Sequence, residues 1–338
     1  MNTQMQASIT PGEIQTTVPT KPTSSRKPGR PPDRNMVWIP GGTFLMGSEQ
    51  HYPEEAPVHK VAVDGFWMDK SLVTNAQFQK FVKATGHVTV AERPANPEHY
   101  PGAKPELLQP SSTVFVKPDR PVSKDNHYNW WSYVPGANWR HPEGAGSSIK
   151  GRKQHPVVHL AYEDVAAYAQ WVGKELPTEA EWEFAARGGL EGAAFAWGDE
   201  LNPKGKQMAN TWQGEFPFEN VCTDGYDRTS PIGVFPPNGY GLYDMIGNVW
   251  EWTTDWYQDH QQIKKSPCCT TTNPRGGERE SSYDPQMPDI RIPRKVIKGG
   301  SFLCAPSYCQ RYRPAARMAQ PIDTSTCHLG FRLIVRIE

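Results

Sequence analysis

Residues 155–189 read HPVVHLAYEDVAAYAQWVGKELPTEAEWEFAARGG, and they decide what kind of chain this is. The spacing predicts a helix over Tyr162–Val172, stopped by Gly173. A further helix opens at Thr178, with Glu181 completing a capping box. It buries Trp182 and Ala185 and ends near Gly188-Gly189. Upstream, Thr74 and Gln77 form a similar box before Phe78, Phe81 and Val82, which share one helical face. Elsewhere helices are scarce. Residues 90–158 are Pro-rich and irregular, and 190–295 hold no helix of normal length.

Strands are short. Met36–Phe44 reads as a strand broken by Pro40-Gly41-Gly42, Val58–Met68 as a second, and Leu329–Ile337 as a closing strand. Gly 29 and Pro 33 together make about 18% of 338 residues, against an average of about 12%. Trp 12, Tyr 13 and Phe 12 supply large buried surfaces. The expected fold is therefore α+β, a single large irregular domain over residues 36–338. It has no internal repeat and no linker. Residues 1–35 are rich in Thr, Pro, Ser, Lys and Arg and read as a disordered tail. Within the tail, Lys27–Pro32 (KPGRPP) resembles an AT-hook fragment and is taken as solvated linker. Segment 258–293 is polar and reads as a surface excursion.

Composition excludes several classes. Lys+Arg 36 balances Asp+Glu 36, so no basic field exists for broad nucleic-acid binding. No apolar run of spanning length occurs, and the N-terminus shows no secretory apolar region. Six cysteines are too few for a disulfide scaffold, so a cytoplasmic, reducing setting is expected.

The sharpest chemistry lies in KGGSFLCAPSYC, residues 298–309. Cys304 and Cys309 sit in one short loop, followed by Arg311, Arg313 and Arg317. Nearby cations favour thiolate, the form that attacks and binds metals. Spacing alone leaves three readings open: a soft-metal site for Cu(I), a labile redox disulfide, or two buried structural thiols. Structural zinc would need a second pair of ligands. The adjacent Cys268-Cys269 read as exposed, incidental thiols, and the isolated Cys222 and Cys327 as core filling.

Hard oxygen ligands form two clusters. Asn210, Thr211 (carbonyl), Asp224 and Tyr226 (carbonyl) make one. Asp244, Gly247 (carbonyl), Val249 (carbonyl) and Glu251 make the other. Ca2+ accepts such mixed sets from irregular loops, and solvated turn carboxylates remain the plainer reading of the residues alone. His127, His141, His155 and His159 fall in the Pro-rich half. Ala161 stands where a His-x3-His-x-Glu iron motif needs its carboxylate, so these read as packing or hydrogen-bonding histidines. No nucleophile elbow, P-loop or Rossmann fingerprint occurs.

The chain resembles the formylglycine-generating enzyme (sulfatase-modifying factor) family. The matching stretches are MVWIPGGTFLMGS (36–48), GANWRHPEG (136–144), the opening segment 155–189, ANTWQGEFP (209–217), FPPNGYGLYDMIGNVWEWTTDWY (235–257), KGGSFLC (298–304), SYCQRYRPAAR (307–317) and LGFRL (329–333), in the family's order. PTEAEWE and GNVWEW mark the broad fold. The Cys304/Cys309 pair with Ser301 separates active members from cysteine-less paralogues.

The resemblance implies an irregular fold related to C-type lectins. It also implies a reaction. The cysteine of a Cys-x-Pro-x-Arg segment in an unfolded sulfatase is oxidised by O2 to formylglycine, with a thiol reductant supplying the remaining electrons. Cu(I) is then held by Cys304 and Cys309, Ser301 and Tyr308 orient oxygen or substrate, and Trp250 walls the pocket. The two oxygen clusters fall at the family's calcium positions. Departures are Asp244 and His328, where Asn is common, and Ala305-Pro306, where polar or basic residues are common. Ala169, Ala186, Pro314 and Leu333 stand where secreted members carry disulfide cysteines. Two alternatives are a non-enzymatic lectin-like binding module and an iron-dependent sulfoxide synthase on the same fold.

Overall fold

The computed structural model describes residues 29–260 and 270–337. Residues 1–28 of the expected 1–35 tail and the Cys268-Cys269 pair lie outside the described residues. Hydrogen-bonded structure starts at Asp33. Its carbonyl accepts from Met36 N, and the Asn35 carbonyl accepts from Lys70 N. Lys174 Nζ reaches Asp69 at 2.7 Å and Asp33 at 3.4 Å.

The three expected helices form where the caps placed them. They are α1 (Asn75–Thr85), α2 (Tyr162–Val172) and α3 (Glu179–Arg187). Every residue of α3 is buried, including Glu179, Glu181, Glu183 and Arg187. Thr178 Oγ1 accepts from Glu181 N at 3.1 Å, and Glu181 Oε2 accepts from Thr178 N at 2.7 Å. At the far end Gly188 turns left-handed (φ +59°) where a Cβ would meet Gly239 N at 2.8 Å. Asn238 Nδ2 then donates to the carbonyls of Ala185 and Ala186. A distant loop thus satisfies carbonyls that the helix cannot.

Among the described residues, twelve short strands make four small sheets. They are β1 (Met36–Ile39), β2 (Gly42–Met46), β3 (His59–Val63), β4 (Phe66–Asp69), β5 (Ser111–Phe115), β6 (Trp131–Pro135), β7 (Trp250–Trp256), β8 (Thr271–Thr272), β9 (Arg294–Lys298), β10 (Arg317–Pro321), β11 (Leu329–Gly330) and β12 (Ile334–Arg336). The sheet orders are β1-β4-β12, β10-β9-β7-β11, β2-β3-β8 and the hairpin β5-β6. α3 packs on β2, β3, β7 and β9.

Two expected strands are corrected. Val58–Met68 is not one strand but β3 and β4, which belong to different sheets. The break falls at Gly65, where a Cβ would lie 2.3 Å from the Trp38 ring. Leu329–Ile337 likewise divides into β11 and β12, one pairing with β7 and the other with β4.

The charges buried with α3 are paired. Glu183 accepts from Gly47 N (2.9 Å), Arg187 Nη2 (2.7 Å) and Lys298 Nζ (2.9 Å). Glu179 takes a bidentate bond from Arg317 at 2.7 and 2.9 Å. Burial alone would raise the Glu183 carboxyl, but Lys298 and Arg187 override it and hold it at about 2. Removing one partner strands a charge in the interior. Lys298→Met is expected to cost about 3–5 kcal/mol of unfolding free energy, read from urea denaturation.

Candidate functional site: a thiol pair on a closed loop

β9 ends at Lys298 and β10 begins at Arg317, and these two residues are register partners. The chain between them makes the cysteine loop. Gly300 (φ +68°) lets the outgoing strand pass the returning one, since a Cβ there would sit 2.7 Å from Arg311 O. Gly299 (φ +95°) is equally tight against Met245 O, at 2.9 Å. Inside the loop, the Ser301 carbonyl accepts from Cys304 N, and the Ala305 carbonyl accepts from both Tyr308 N and Cys309 N. Pro306 sits within that last turn, where its fixed φ suits the bend. The Cys304 carbonyl accepts from Trp212 N, and Phe302 N donates to Asn248 O.

These bends bring Cys304 Sγ and Cys309 Sγ to 3.3 Å, as a hydrogen-bonded pair of free thiols. Cys304 is buried and Cys309 half-buried. The Cys304 hydrogen bond, helped by Arg311, pushes the Cys309 thiol down to about 6 against its burial. Burial pushes Cys304 the other way, well above the ordinary thiol range. One sulfur is therefore thiolate at neutral pH and its neighbour keeps the proton. Arg311 is itself held by Glu54 and lies over the Tyr52 ring at 3.8 Å. Both come from a segment some 250 positions upstream.

An aromatic wall stands beside the pair. The Tyr308 ring stacks on Phe216 at 4.4 Å, and Trp130 meets both rings edge-on. Trp130, Trp212 and Phe216 are buried, whereas Tyr308 is 42% exposed, with its hydroxyl unbonded among the described residues. Trp250 is buried in the same core cluster as Cys304, at the start of β7, and its backbone N–H donates to the His328 carbonyl. Ser301 is fully buried. Its Oγ accepts from Leu303 N and shares a proton with His328 Nδ1 at 3.0 Å.

The oxygen clusters flank this loop. Asp224 Oδ2 accepts from Thr211 N and from Gln213 Nε2, and the same Gln213 amide reaches the Thr211 carbonyl. Those two oxygens thus lie within reach of one donor group. Asn210 Oδ1 is buried and has no partner among the described residues. An orphan oxygen near a half-buried carboxylate fits a hard cation. The second cluster fits less freely. Asp244 Oδ2 accepts from Gly233 N, but Glu251 carries a bidentate Arg332 (2.7 and 2.8 Å) and the Trp182 indole (2.9 Å). A cation there would share Glu251 with a guanidinium. Asn248 N donates to the Asn210 carbonyl, so both clusters connect to the cysteine loop through Asn248.

The other candidates separate. His155 bonds Thr229, His141 bonds the Ser147 carbonyl, and His159 bonds Ser112 and the Pro142 carbonyl. Each is held by a different partner, and of the three only His159 has both ring nitrogens bonded among the described residues. Cys327 is buried and accepts from Phe115 N, as core filling implies. Cys222 is a correction: it lies half-exposed in a loop at φ +52°, its sulfur directed to the Asn220 carbonyl, so it fills no core.

An irregular α+β domain that presents a paired thiol on a braced loop defines a narrow class. The model of the sulfatase-modifying factor enzyme 1-like domain matches residues 21–337, and the chain belongs to the formylglycine-generating enzyme (sulfatase-modifying factor) family. It is 51% identical over 301 residues to the formylglycine-generating enzyme of Mycobacterium tuberculosis, covering 88% of this chain and 97% of that one. It is 36% identical over 312 residues to the mouse inactive C-alpha-formylglycine-generating enzyme 2, covering 90% and 86%. PvdO from Pseudomonas aeruginosa shares the fold, with a TM-score of 0.60 at 24% identity over 89% of this chain and 94% of that one. The family thus includes a relative named as inactive, and chemistry has to be argued from the site.

The paired thiols give a direct test. In reduced, metal-free protein, alkylation of Cys309 by iodoacetamide should rise through pH about 6. Cys304→Ala removes the donor and should move that rise to higher pH, read by mass spectrometry of the labelled peptide.

Proposed function

We propose that this protein oxidises the cysteine of a Cys-x-Pro-x-Arg segment in an unfolded sulfatase to formylglycine. Dioxygen is the oxidant and an external thiol the co-reductant. The observation that carries the reading is the Cys304–Cys309 sulfur pair at 3.3 Å on a loop whose outer side is open at Tyr308. The overall change balances: a thiol-bearing methylene, one dioxygen, two electrons and two protons give an aldehyde, hydrogen sulfide and water. The external thiol supplies the electrons and becomes disulfide.

The donor set suits a soft monovalent ion, because sulfur ligands select Cu(I). When bound by Cys304 and Cys309, Cu(I) would supply the dioxygen chemistry. The chain's own residues do the rest. Cys309 enters as thiolate, and Cys304 must release its proton to bind, so affinity falls as pH falls. Trp130, Trp212, Phe216 and Tyr308 exclude water from the reacting atoms. The free Tyr308 hydroxyl faces no competing partner among the described residues and is available to orient substrate. Ser301 offers a hydroxyl fixed at the base of the loop, and Trp250 closes the buried side.

Structural Ca2+ is assigned to Asn210, Thr211, Asp224 and Tyr226, and a second ion to Asp244, Gly247, Val249 and Glu251. The orphan Asn210 oxygen supports the first. Burial pushes the Asp224 and Asp244 carboxyls up, which a bound cation would reverse. The free thiols of Cys222, Cys304, Cys309 and Cys327 support a reducing, cytoplasmic setting. No helix among the described residues is long and apolar enough to cross a membrane.

Copper-loaded protein given dioxygen and a thiol should convert a Cys-x-Pro-x-Arg peptide to an aldehyde, seen as the mass difference between the thiol and aldehyde side chains. Cys304→Ala and Cys309→Ala should each abolish turnover and weaken Cu(I) binding in competition titrations. Full turnover in either variant contradicts the paired-sulfur site, and no aldehyde from the wild type sinks the reading. Calcium has its own measurement. Chelation with EGTA should lower Tm, because an ion at a hundred times its Kd adds about 2.7 kcal/mol. Asp224→Asn should remove most of that response.

A further inference from the structure

Ser301 sits at the floor of the cysteine loop. Its carbonyl accepts from Cys304 N at 2.9 Å, and its backbone also meets the Cys304 sulfur. The side chain is sealed from solvent. Among the described residues its hydroxyl has two partners, the Leu303 amide at 3.2 Å and His328 Nδ1 at 3.0 Å. A backbone amide passes no protons on the scale of a turnover, whereas an imidazole does. Among the described residues, the route for a proton to or from that hydroxyl runs through His328.

His328 is placed for it. Trp131 meets the ring edge-on at 5.0 Å, and the His328 carbonyl accepts from Trp250 N, so the ring has a neighbour and its backbone a fixed partner. Deep surroundings, with His159 close by, push the imidazole down to about 3, so it is neutral. A neutral ring has one N–H and one lone pair, on different nitrogens. The residue is only half-buried, and its Nε2 makes no hydrogen bond among the described residues. One nitrogen therefore faces the buried serine and the other an accessible edge. Asn, common at this position in the family, can hold Ser301 but cannot pass a proton through itself.

We propose that Ser301 and His328 form a proton relay between the cysteine loop and solvent, which serves the oxidation proposed above and rests on that reading. In the outward direction, the proton that substrate binding releases within the cysteine loop is taken up at Ser301 Oγ. The Ser301 proton passes to His328 Nδ1, and the Nε2 proton leaves to water. The ring ends neutral, in the other tautomer. In the inward direction, water protonates Nε2, the Nδ1 proton moves to Ser301, and the Ser301 proton enters the pocket for dioxygen reduction. One outward and one inward passage restore the starting tautomer. His328 acts through Ser301 and is a positioning residue, not one that touches substrate.

The test is chemical rescue. His328→Ala in the copper-loaded enzyme should lower kcat about 10²-fold with peptide KM and Cu(I) affinity unchanged. Added imidazole should restore kcat saturably, with wild type at the same imidazole as control. His328→Asn keeps the hydrogen bond and should stay slow; it also carries the test if the alanine variant does not fold. Wild-type kcat in His328→Asn would mean that fixed positioning suffices and would overturn the relay. So would an unchanged kcat in His328→Ala, or a loss seen in KM alone. Independently of activity, 15N NMR of the metal-free protein should show a neutral His328 resting with its proton on Nε2 and Nδ1 accepting from Ser301. A ring that rests with its proton on Nδ1 leaves Ser301 no acceptor and refutes the proposal, whereas a wild type that yields no aldehyde refutes the function instead.

Discussion

Two buried glutamates on one short helix hold the site together. Glu183 binds Lys298, the last residue of β9, and Glu179 binds Arg317, the first residue of β10. Those residues are the two stems of the cysteine loop, so both of its ends are pinned to α3. The cluster is costly to bury and is stable only because each charge has a partner and further hydrogen bonds. Arg313 adds a third tie, to the fully buried Glu55. The loop itself has no regular structure, yet its base is as fixed as the helix. That rigidity is what a two-sulfur site requires, since its function depends on one distance.

Other irregular segments are stabilised in the same way, with side chains standing in for sheet and helix bonds. Asn238 caps α3 from another loop, and the Asn248 side chain accepts from Ser230 N and donates to the Ser230 carbonyl. Arg332 gathers the carbonyls of Tyr243 and Asp244 while binding Glu251. Each is a polar group satisfied inside the molecule, as backbone buried without strands must be. The low content of helix and strand is therefore not a loose fold. It is one whose hydrogen bonds run over long sequence separations.

That explains which features were legible in the sequence. The helices were, because Thr74/Gln77 and Thr178/Glu181 are local signals and Gly173 and Gly188 end two of them locally. The thiol pair was legible as a candidate because its two members share a loop. The strands β3 and β4 ran together in the reading because only the Trp38 ring, far upstream, forces Gly65 to break them. The β5–β6 hairpin went unseen within a Pro-rich stretch. Cys222 looked like core because nothing nearby marks the left-handed turn that exposes it. Glu54 and Tyr52, which hold Arg311 beside Cys309, carry no local sign of that duty. Their role exists only once the fold has brought distant segments together. The arginine cluster after Cys309 was visible as charge, but its division into thiol partner (Arg311) and structural ties (Arg313, Arg317) was not.

The neck of the cysteine loop is closed by main chain against main chain, Gly300 on Arg311. Beyond that neck, Pro306, Ser307 and Tyr308 are exposed. The tip leans on the rest of the molecule through the Tyr308 ring on Phe216 and the Ser307 carbonyl on Lys124, so its exposed positions can vary only as far as those two contacts allow.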